Sequence, residues 1–433
     1  MQMTIFRGSH EIGGSCVEIR AGSNRIVVDV GIPLFDADGG PFDAKALEGK
    51  STEELLERKV LPGVPGLFAP GPAPDAIVLS HAHLDHTGFL TYAQPDIPIY
   101  ATKGTSKMMH AGAIFARGVE LPREKHRELV PEQAVSIGDF RVTAFSVDHS
   151  VFGSAALLIE ADGKAILYSG DLRMHGRKPG MAKRLWAAVQ EKRVDVLVME
   201  GTHLGLGKSD GQNEYELEKE IVGHIESAPG LVLASFSPQH VDRLVAFIRA
   251  AIQTKRIFVA DIYCAYVIHL IALDTIPKPT REDGIPVFYP SRLAASLKRR
   301  RRGKIHDMFL DSQITLAEIL QAPRCHIMLF RPPMIEDDFR GRMPEQVRCL
   351  FSRFEGYLDQ PDWIDARSKI EAAGGDLIPV HTSGHIFVQD IAEFVRRVNP
   401  RLLVPIHTRT PEAFQGVFAP VRVLNDGEPL EVT

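Results

Sequence analysis

The segment Ala76-Ile77-Val78-Leu79-Ser80-His81-Ala82-His83-Leu84-Asp85-His86 constrains this chain more than any other, because an apolar run ends directly in three histidines and an aspartate. A short apolar run bounded by polar residues predicts a buried strand. Alternate residues of an extended segment point the same way, so His81 and His83 can share one cation. Asp85 and His86 follow where the chain turns and can reach a second cation beside it. Imidazole nitrogens with a carboxylate suit zinc, and manganese or iron also fit such a set. Histidines are common on solvated loops, but three of them crowded behind an apolar strand are better read as ligands.

Other strands end in polar residues in the same manner. His149 follows the apparent strand Phe140 to Val147, and Asp171 closes Tyr168-Ser169-Gly170-Asp171, where Gly170 permits a tight turn. A carboxylate with two oxygens can bridge two ions. Taken singly, each could be a capped turn or a satisfied core group, and their weight comes from following the cluster in order. The buried-looking strands Ala165–Tyr168 and Asp195–Met199 lead into Asp171 and Glu200. Such polar strand ends in a mixed α/β pattern build a site along one sheet edge.

The N-terminal stretch alternates as strands at Thr4–Phe6, Ser15–Ile19 and Arg25–Asp29, with Gly13-Gly14 and Gly22-Ser23-Asn24 as turns. The Pro- and Gly-rich segment Leu61–Pro74 reads as a surface loop. From about Gly205 the texture changes to alternating helix and strand, with helices expected at Glu214–Ile225 and His240–Ile252 and strands at Leu231–Ala234 and Ile257–Val259. The last strands, Leu377–His381 and Leu402–His407, again end in histidine. These features predict a first domain over residues 1–204, an inserted α/β domain over 205–375, and a return to the first domain over 376–433.

With 433 residues, 44% hydrophobic and 24% charged, the chain has the composition of a globular protein with room for two domains. No apolar run approaches membrane-spanning length, and the N-terminus MQMTIFRGSH lacks the blocks of a signal peptide. Cys16, Cys264, Cys325 and Cys349 form no CxxC pair, which argues against a disulfide framework and suits a reducing cytoplasm. The net charge of −5 speaks mildly against a nucleic-acid partner, but a metal site adds positive charge that this count omits.

The run Leu79–Gly88 resembles the HxHxDH motif of metallo-β-lactamase-fold hydrolases, and Arg25–Gly31, Val147–Ser150 and Tyr168–Asp171 resemble their first, third and fourth motifs. Met199-Glu200-Gly201-Thr202, His381-Thr382-Ser383-Gly384-His385 and Val404-Pro405-Ile406-His407 look like motifs A, B and C of the β-CASP nucleases, the group of ribonuclease J and the messenger-RNA 3′-end endonuclease. The resemblance runs from the first strands to Leu424–Leu430. It implies an αββα sandwich with an inserted α/β β-CASP domain. It further implies His81, His83 and His149 on one metal, Asp85, His86 and His407 on the other, Asp171 between them, and Asp29 supporting the ligands from behind. His385 would protonate the leaving oxygen, with Glu200 holding it cationic, and Asp85 joins these two in the catalytic set. The sequence departs from the family where Thr408-Arg409-Thr410 replaces the usual Gly-Glu, and Ala234–Arg243 matches neither well-known version of its element. The chain also stops where the family's catalytic region should end, short of a further C-terminal domain.

The residues and the resemblance together predict a metal-dependent ribonuclease, acting from the 5′ end, internally or both, by attack of a hydroxide held between two divalent ions. Zinc is the expected metal, with manganese as the alternative, and single-stranded RNA the expected partner; a homodimer is compatible with the sequence. Ser237, Ser383 and Gly384 are candidates for a terminal-phosphate pocket. Arg300, within Lys298–Lys304, is a candidate for backbone contact, a solvated helix end being an equal reading. Two rival functions remain, a small-molecule ester or lactone hydrolase on the same scaffold and a non-catalytic RNA-binding relative.

Overall fold

Apolar residues at alternate positions of the N-terminal strands turn to one side and bury completely. In β1 (Gln2–Arg7), β2 (Cys16–Ala21) and β3 (Asn24–Val28), the pairs Met3 and Ile5, Val17 and Ile19, and Ile26 and Val28 face a common core. The computed structural model describes residues 1–36, 39–205, 210–281, 284–416 and 420–433. Two compact units divide the chain, Met1–Gly211 with Gly384–Thr433, and Gln212–Ser383.

In the first unit, β1 to β3 join β4 (Ala76–Val78), β5 (Ile99–Thr102), β6 (His126–Leu129) and the closing β19 (Pro429–Glu431) in one sheet of order β19-β1-β2-β3-β4-β5-β6. The second sheet contains β7 (Ala134–Ile137), β8 (Phe140–Ser146), β9 (Ala155–Ala161), β10 (Lys164–Tyr168), β11 (Val196–Glu200) and β18 (Leu402–Ile406), in the order β18-β11-β10-β9-β8-β7. One core lies between the sheets, and each outer face carries its own. Helices Gly180–Gln190 and Val388–Val398 cover the second sheet, where Leu185, Val189, Ile391 and Phe394 meet Leu167 and Leu197. Met109 of helix Lys103–Phe115 joins the core outside the first sheet. This is the metallo-β-lactamase αββα sandwich.

The segment Leu61–Pro74 corrects the sequence expectation. It has no regular strand or helix, yet Leu61, Val64, Leu67 and Phe68 are buried in the core outside the first sheet. Its carbonyls find a partner in Arg25, whose guanidinium donates to Pro65 O and Pro72 O at 2.6 and 2.7 Å. Apolar anchors at irregular spacing, with a buried arginine supplying donors, let the loop bury without a ladder.

The second unit is built on an all-parallel sheet of β12 (Val232–Ser235), β13 (Ile257–Asp261), β14 (Val287–Phe288), β15 (His326–Leu329), β16 (Arg348–Phe351) and β17 (Asp376–Pro379), ordered β14-β13-β15-β12-β16-β17. Parallel strands need crossovers and are covered on both faces, which is why helix and strand alternate in this stretch of sequence. The expected return to the first domain at 376 comes later. Asp376–Pro379 pairs with Arg348–Phe351 and so completes the second unit's sheet, which holds the chain there through Ser383.

The backbone of Leu84–His86 is stitched to the residues after β3 and just before β2: Val30 N donates to His86 O, Ile32 N to Leu84 O, and Ser15 N to Asp85 O. Gly31 lies within that seam, and a Cβ there would fall 1.6 Å from Asp85 O. Gly31→Ala is therefore expected to cost about 1–3 kcal/mol or more by overpacking against backbone. Gly63→Ala, with nothing within 4 Å of the added carbon, should stay within about 0.5 kcal/mol of the parent. Denaturant midpoints of the two variants check this.

Candidate metal centre

Strand ends deliver the polar side chains of the first unit to one place. His81 and His83 follow β4, Asp171 follows β10, Glu200 ends β11, and His407 follows β18. Several of these exits are left-handed turns: Asp29 has φ 57°, Gly170 φ 56° and His407 φ 54°. A non-glycine residue held there is strained, and such strain persists only where the surroundings over-determine it.

Three sets of side chains converge, each with donor atoms within 4.8 Å of one another: His81, His83, His149 and Asp171; Asp85, His86, Asp171 and His407; and Asp171, Glu200, His385 and His407. Asp171 belongs to all three. Its Oδ2 lies 3.2 Å from His86 Nε2, 3.6 Å from His81 Nε2, 3.7 Å from His407 Nε2 and 3.9 Å from His149 Nε2. His407 Nε2 is 3.2 Å from Asp85 Oδ2, and His83 Nδ1 is 3.2 Å from His149 Nε2.

The far nitrogens of the rings are held from behind. His86 Nδ1 donates to Asp29 Oδ2 at 2.7 Å, and His149 Nδ1 to Gly384 O at 2.6 Å. Hydroxyls relay two more: Ser80 Oγ donates to Asp29 and lies 3.0 Å from His81 Nδ1, while Thr202 Oγ1 donates to Glu200 and lies 2.9 Å from His407 Nδ1. Tyr168 OH gives Asp29 a further donor at 2.9 Å. Each fixed Nδ1 turns its Nε2 toward Asp171, the orientation that metal-ligating histidines take.

A divalent cation fits this arrangement. Among the described residues, buried His81 Nε2, His86 Nε2 and both Asp171 oxygens lack any hydrogen-bond partner, although they converge. Unpaired buried acceptors and ring nitrogens are costly unless a cation joins them. Burial, followed by repulsion from neighbouring imidazoles, drives the pKa of His81 and His149 well below the ordinary histidine value. His83 falls too, again through burial first. Neutral imidazoles are what metal ligation requires. Burial opposes charge on His86, but Asp171 and Asp29 overcome it and hold its pKa well above the usual range. A cation between His86 and Asp171 would take the place of that proton. Burial also opposes charge on Asp171, and the surrounding imidazoles of His407, His86 and His385 nonetheless hold it ionised.

Glu200 is buried and accepts from Leu172 N at 3.1 Å and from Thr202 Oγ1 at 2.8 Å, and both of its oxygens lie 3.2 Å from His385 Nδ1. Burial works against the His385 cation, yet the carboxylates of Glu200 and Asp171 raise its pKa to about 9. His385 therefore stands as an imidazolium at neutral pH beside the Asp171 cluster.

All seven expected ligands, with Asp29, Glu200, His385 and Gly384, fall within the first unit. Gly384 supplies the carbonyl that holds His149. Ser237, just beyond β12, and Ser383 lie in the second unit, as does Arg300, which is exposed at the C-cap of helix Ser291–Arg299. Thr202 carries no signal of its own in the sequence, although it stands in the Met199–Thr202 stretch and touches Glu200, His385 and His407. Tyr168 is hidden as well, because a tyrosine inside an apolar strand looks like core.

A family model described as "Beta-lactamase superfamily domain" matches residues 54–216. Ribonuclease J of Mycolicibacterium smegmatis is 23% identical over 439 residues, covering 94% of this chain and 68% of the relative. Transcription termination factor FttA of Methanothermobacter thermautotrophicus is 24% identical over 60% of this chain and 41% of its own length. An RNase J-like protein of Methanocaldococcus jannaschii is 24% identical over 59% of this chain and 56% of its own. The crystal structure of a protein of unknown function from Enterococcus faecalis V583 shares the fold, with a TM-score of 0.79, 21% identity and 99% of each chain covered.

The match over residues 54–216, the sandwich fold and the histidine–aspartate centre mark this part of the chain as a β-lactamase superfamily domain. Beyond that domain, the chain resembles the β-CASP nucleases through its similarity to relatives named ribonuclease J and FttA.

Asp29 holds His86 and, through Ser80, His81. Asp29→Asn is expected to weaken metal binding about 10–100-fold, because an amide cannot hold both donors as the carboxylate does. Competition with a chromophoric chelator measures the change.

Proposed function

We propose that this chain is a metal-dependent ribonuclease that hydrolyses phosphodiester bonds of single-stranded RNA, acting from the 5′ end, internally or both. The observation that carries the reading is the convergence on Asp171 of both ligand groups and of the Glu200–His385 pair, in a chain similar along 94% of its length to ribonuclease J. A small-molecule hydrolase has no evident use for the Glu200–His385 ion pair or for the 212–383 unit.

His81, His83 and His149 would hold one cation and Asp85, His86 and His407 the other, with Asp171 shared. Zinc suits the nitrogen-rich set best and manganese is second. Two divalent ions there supply Lewis acidity and lower the pKa of bound water towards neutrality. His385 gives its proton to the departing oxygen, and Glu200 keeps it charged until that moment. Thr202 orients both His407 and the carboxylate that serves His385. Asp29, behind His81 and His86, fixes the rings against rotation. Ser237 and Ser383 of the second unit are assigned to a terminal phosphate, and Arg300 to backbone phosphates. Lys298 and Arg299 occupy the last turn of their helix, where they also complement its C-terminal dipole. The four cysteines are free, in keeping with work in a reducing cytoplasm, and no helix among the described residues is long and apolar enough to cross a membrane.

End-labelled RNA bearing a 5′-monophosphate, triphosphate or hydroxyl tests the proposal. Cleavage should require added zinc or manganese and stop with chelator; mononucleotides released from the 5′ end mean exonuclease action and discrete fragments mean internal cuts. Ester turnover without RNA cleavage would reject the ribonuclease reading.

His385 also lies among atoms that could ligate a cation, with Asp171, Glu200 and His407. As a proton donor, it should leave metal content unchanged when replaced: His385→Ala should lower kcat by roughly 100-fold or more with two metals still bound. Metal analysis alongside kinetics decides, and loss of an ion would make His385 a ligand instead.

A further inference from the structure

The second unit's parallel sheet offers its own place for a ligand. The chain leaves β12 toward β13 and β14 on one side, and after β15 it crosses to β16 and β17 on the other. Sheets of this kind bind ligands where connections diverge, off the carboxyl ends of the strands. The strands flanking β12 there are β15 and β16, and an arginine stands two residues beyond each: Arg331 after Leu329, and Arg353 after Phe351.

These arginines keep different company. Arg331 pairs with Asp261 at 2.5 Å and lies 5.6 Å from the centre of the Tyr263 ring. Arg353 is half-buried over the Tyr357 ring at 5.1 Å, and among the described residues no acceptor lies within hydrogen-bond or ion-pair reach of its guanidinium. Burial first, then repulsion from Arg331, draws its pKa below the ordinary arginine value against the pull of Tyr357 and Asp362. A guanidinium partly stripped of water beside a second one, already paired with Asp261, is costly until an anion reaches it, and its planar fork matches phosphate oxygens. Next to it, Phe354 is 64% exposed and stands edge-on to Tyr357 at 5.9 Å. A large exposed ring beside a cationic fork is what a single nucleic-acid strand uses, base on ring and phosphate on arginine.

We propose that Arg353 and Arg331 hold an internal phosphate of a single RNA strand at the carboxyl edge of the second unit's sheet, with Phe354 stacking on the adjoining base. The assignment rests on the ribonuclease reading for its ligand, and the site is distinct in residues from both the metal centre and the terminal-phosphate candidates.

The test is fluorescence anisotropy with the full chain and a hydrolysis-resistant 2′-O-methyl phosphorothioate oligouridylate bearing a 5′-hydroxyl, over a range of salt. Arg353→Ala should weaken binding about 10-fold and reduce the slope of log affinity against log salt by about 0.7, as one lost phosphate contact does for single strands. Arg353→Lys should restore most of the slope. Phe354→Ala, at an exposed position where folding is not in question, should weaken binding about 5-fold or more with the slope unchanged. Wild-type affinity and slope in Arg353→Ala, no binding by the wild type, or a loss seen only when the probe carries a 5′-monophosphate would each overturn the proposal. Cleavage of labelled RNA by the wild type is scored separately. A protein that cleaves RNA while Arg353→Ala binds normally loses only this site, and one that shows the variant pattern without cleaving loses only the nuclease reading.

Discussion

The buried carboxylate of Asp171 is the interaction on which the rest of the centre depends. It sits almost out of reach of water, with Oδ2 within 4 Å of nitrogens from His81, His86, His149, His385 and His407. An isolated carboxylate so placed would take up a proton, because desolvation penalises the charge. Here the ring of imidazoles reverses that tendency and keeps it anionic. The same crowding pushes His81 and His149 towards neutrality, so unprotonated rings stand beside a firmly anionic Asp171. That distribution favours a divalent cation over protons.

Holding several mutually repelling rings around one carboxylate requires rigid support, and the sandwich provides it. The ligands leave from strand ends of both sheets, and the turns that aim them include two strained non-glycine residues, Asp29 and His407. Asp29 shows how the strain is offset. Its carboxylate accepts from Ser80 N, Ser80 Oγ, His86 Nδ1 and Tyr168 OH, so four donors fix a backbone conformation that its side chain alone would not favour. Glu200 repeats the device on the other side, reaching His407 through Thr202 while binding His385 directly.

Much of this was legible in the sequence because its signal is local. A buried β4 running into His81–His86 is written in consecutive residues, and the apolar alternation of β1 to β3 and the helix Glu214–Glu226 are equally local. What was not legible depends on partners far along the chain. Leu61–Pro74 looks like a surface loop because burial without periodicity leaves no pattern, and its anchor is Arg25, a residue of another strand. Strand β17 has the apolar texture of a closing strand, but only its register with β16 assigns it to the second unit. Thr202 and Tyr168 gain their roles from a hydroxyl meeting a carboxylate or imidazole across the fold.

Net charge was the weakest guide, for a physical reason. The count of −5 treats every histidine as neutral and averages over the whole surface, whereas a polyanion responds to local potential. In the first unit, His385 is held as a cation against its own desolvation, and each divalent ion bound by the ligand groups would add two positive charges. In the second unit, Lys298–Arg302 and Arg353 concentrate positive charge at separate positions, Arg331 being paired with Asp261. Structural pairs such as Glu18 with Arg25 and Glu214 with Arg243, each buried within its own unit, cancel as many positive charges as negative and leave the carboxylate excess unchanged. Such pairs exert little field at a distance, whereas Arg353, with no acceptor in reach among the described residues, keeps its field for a ligand.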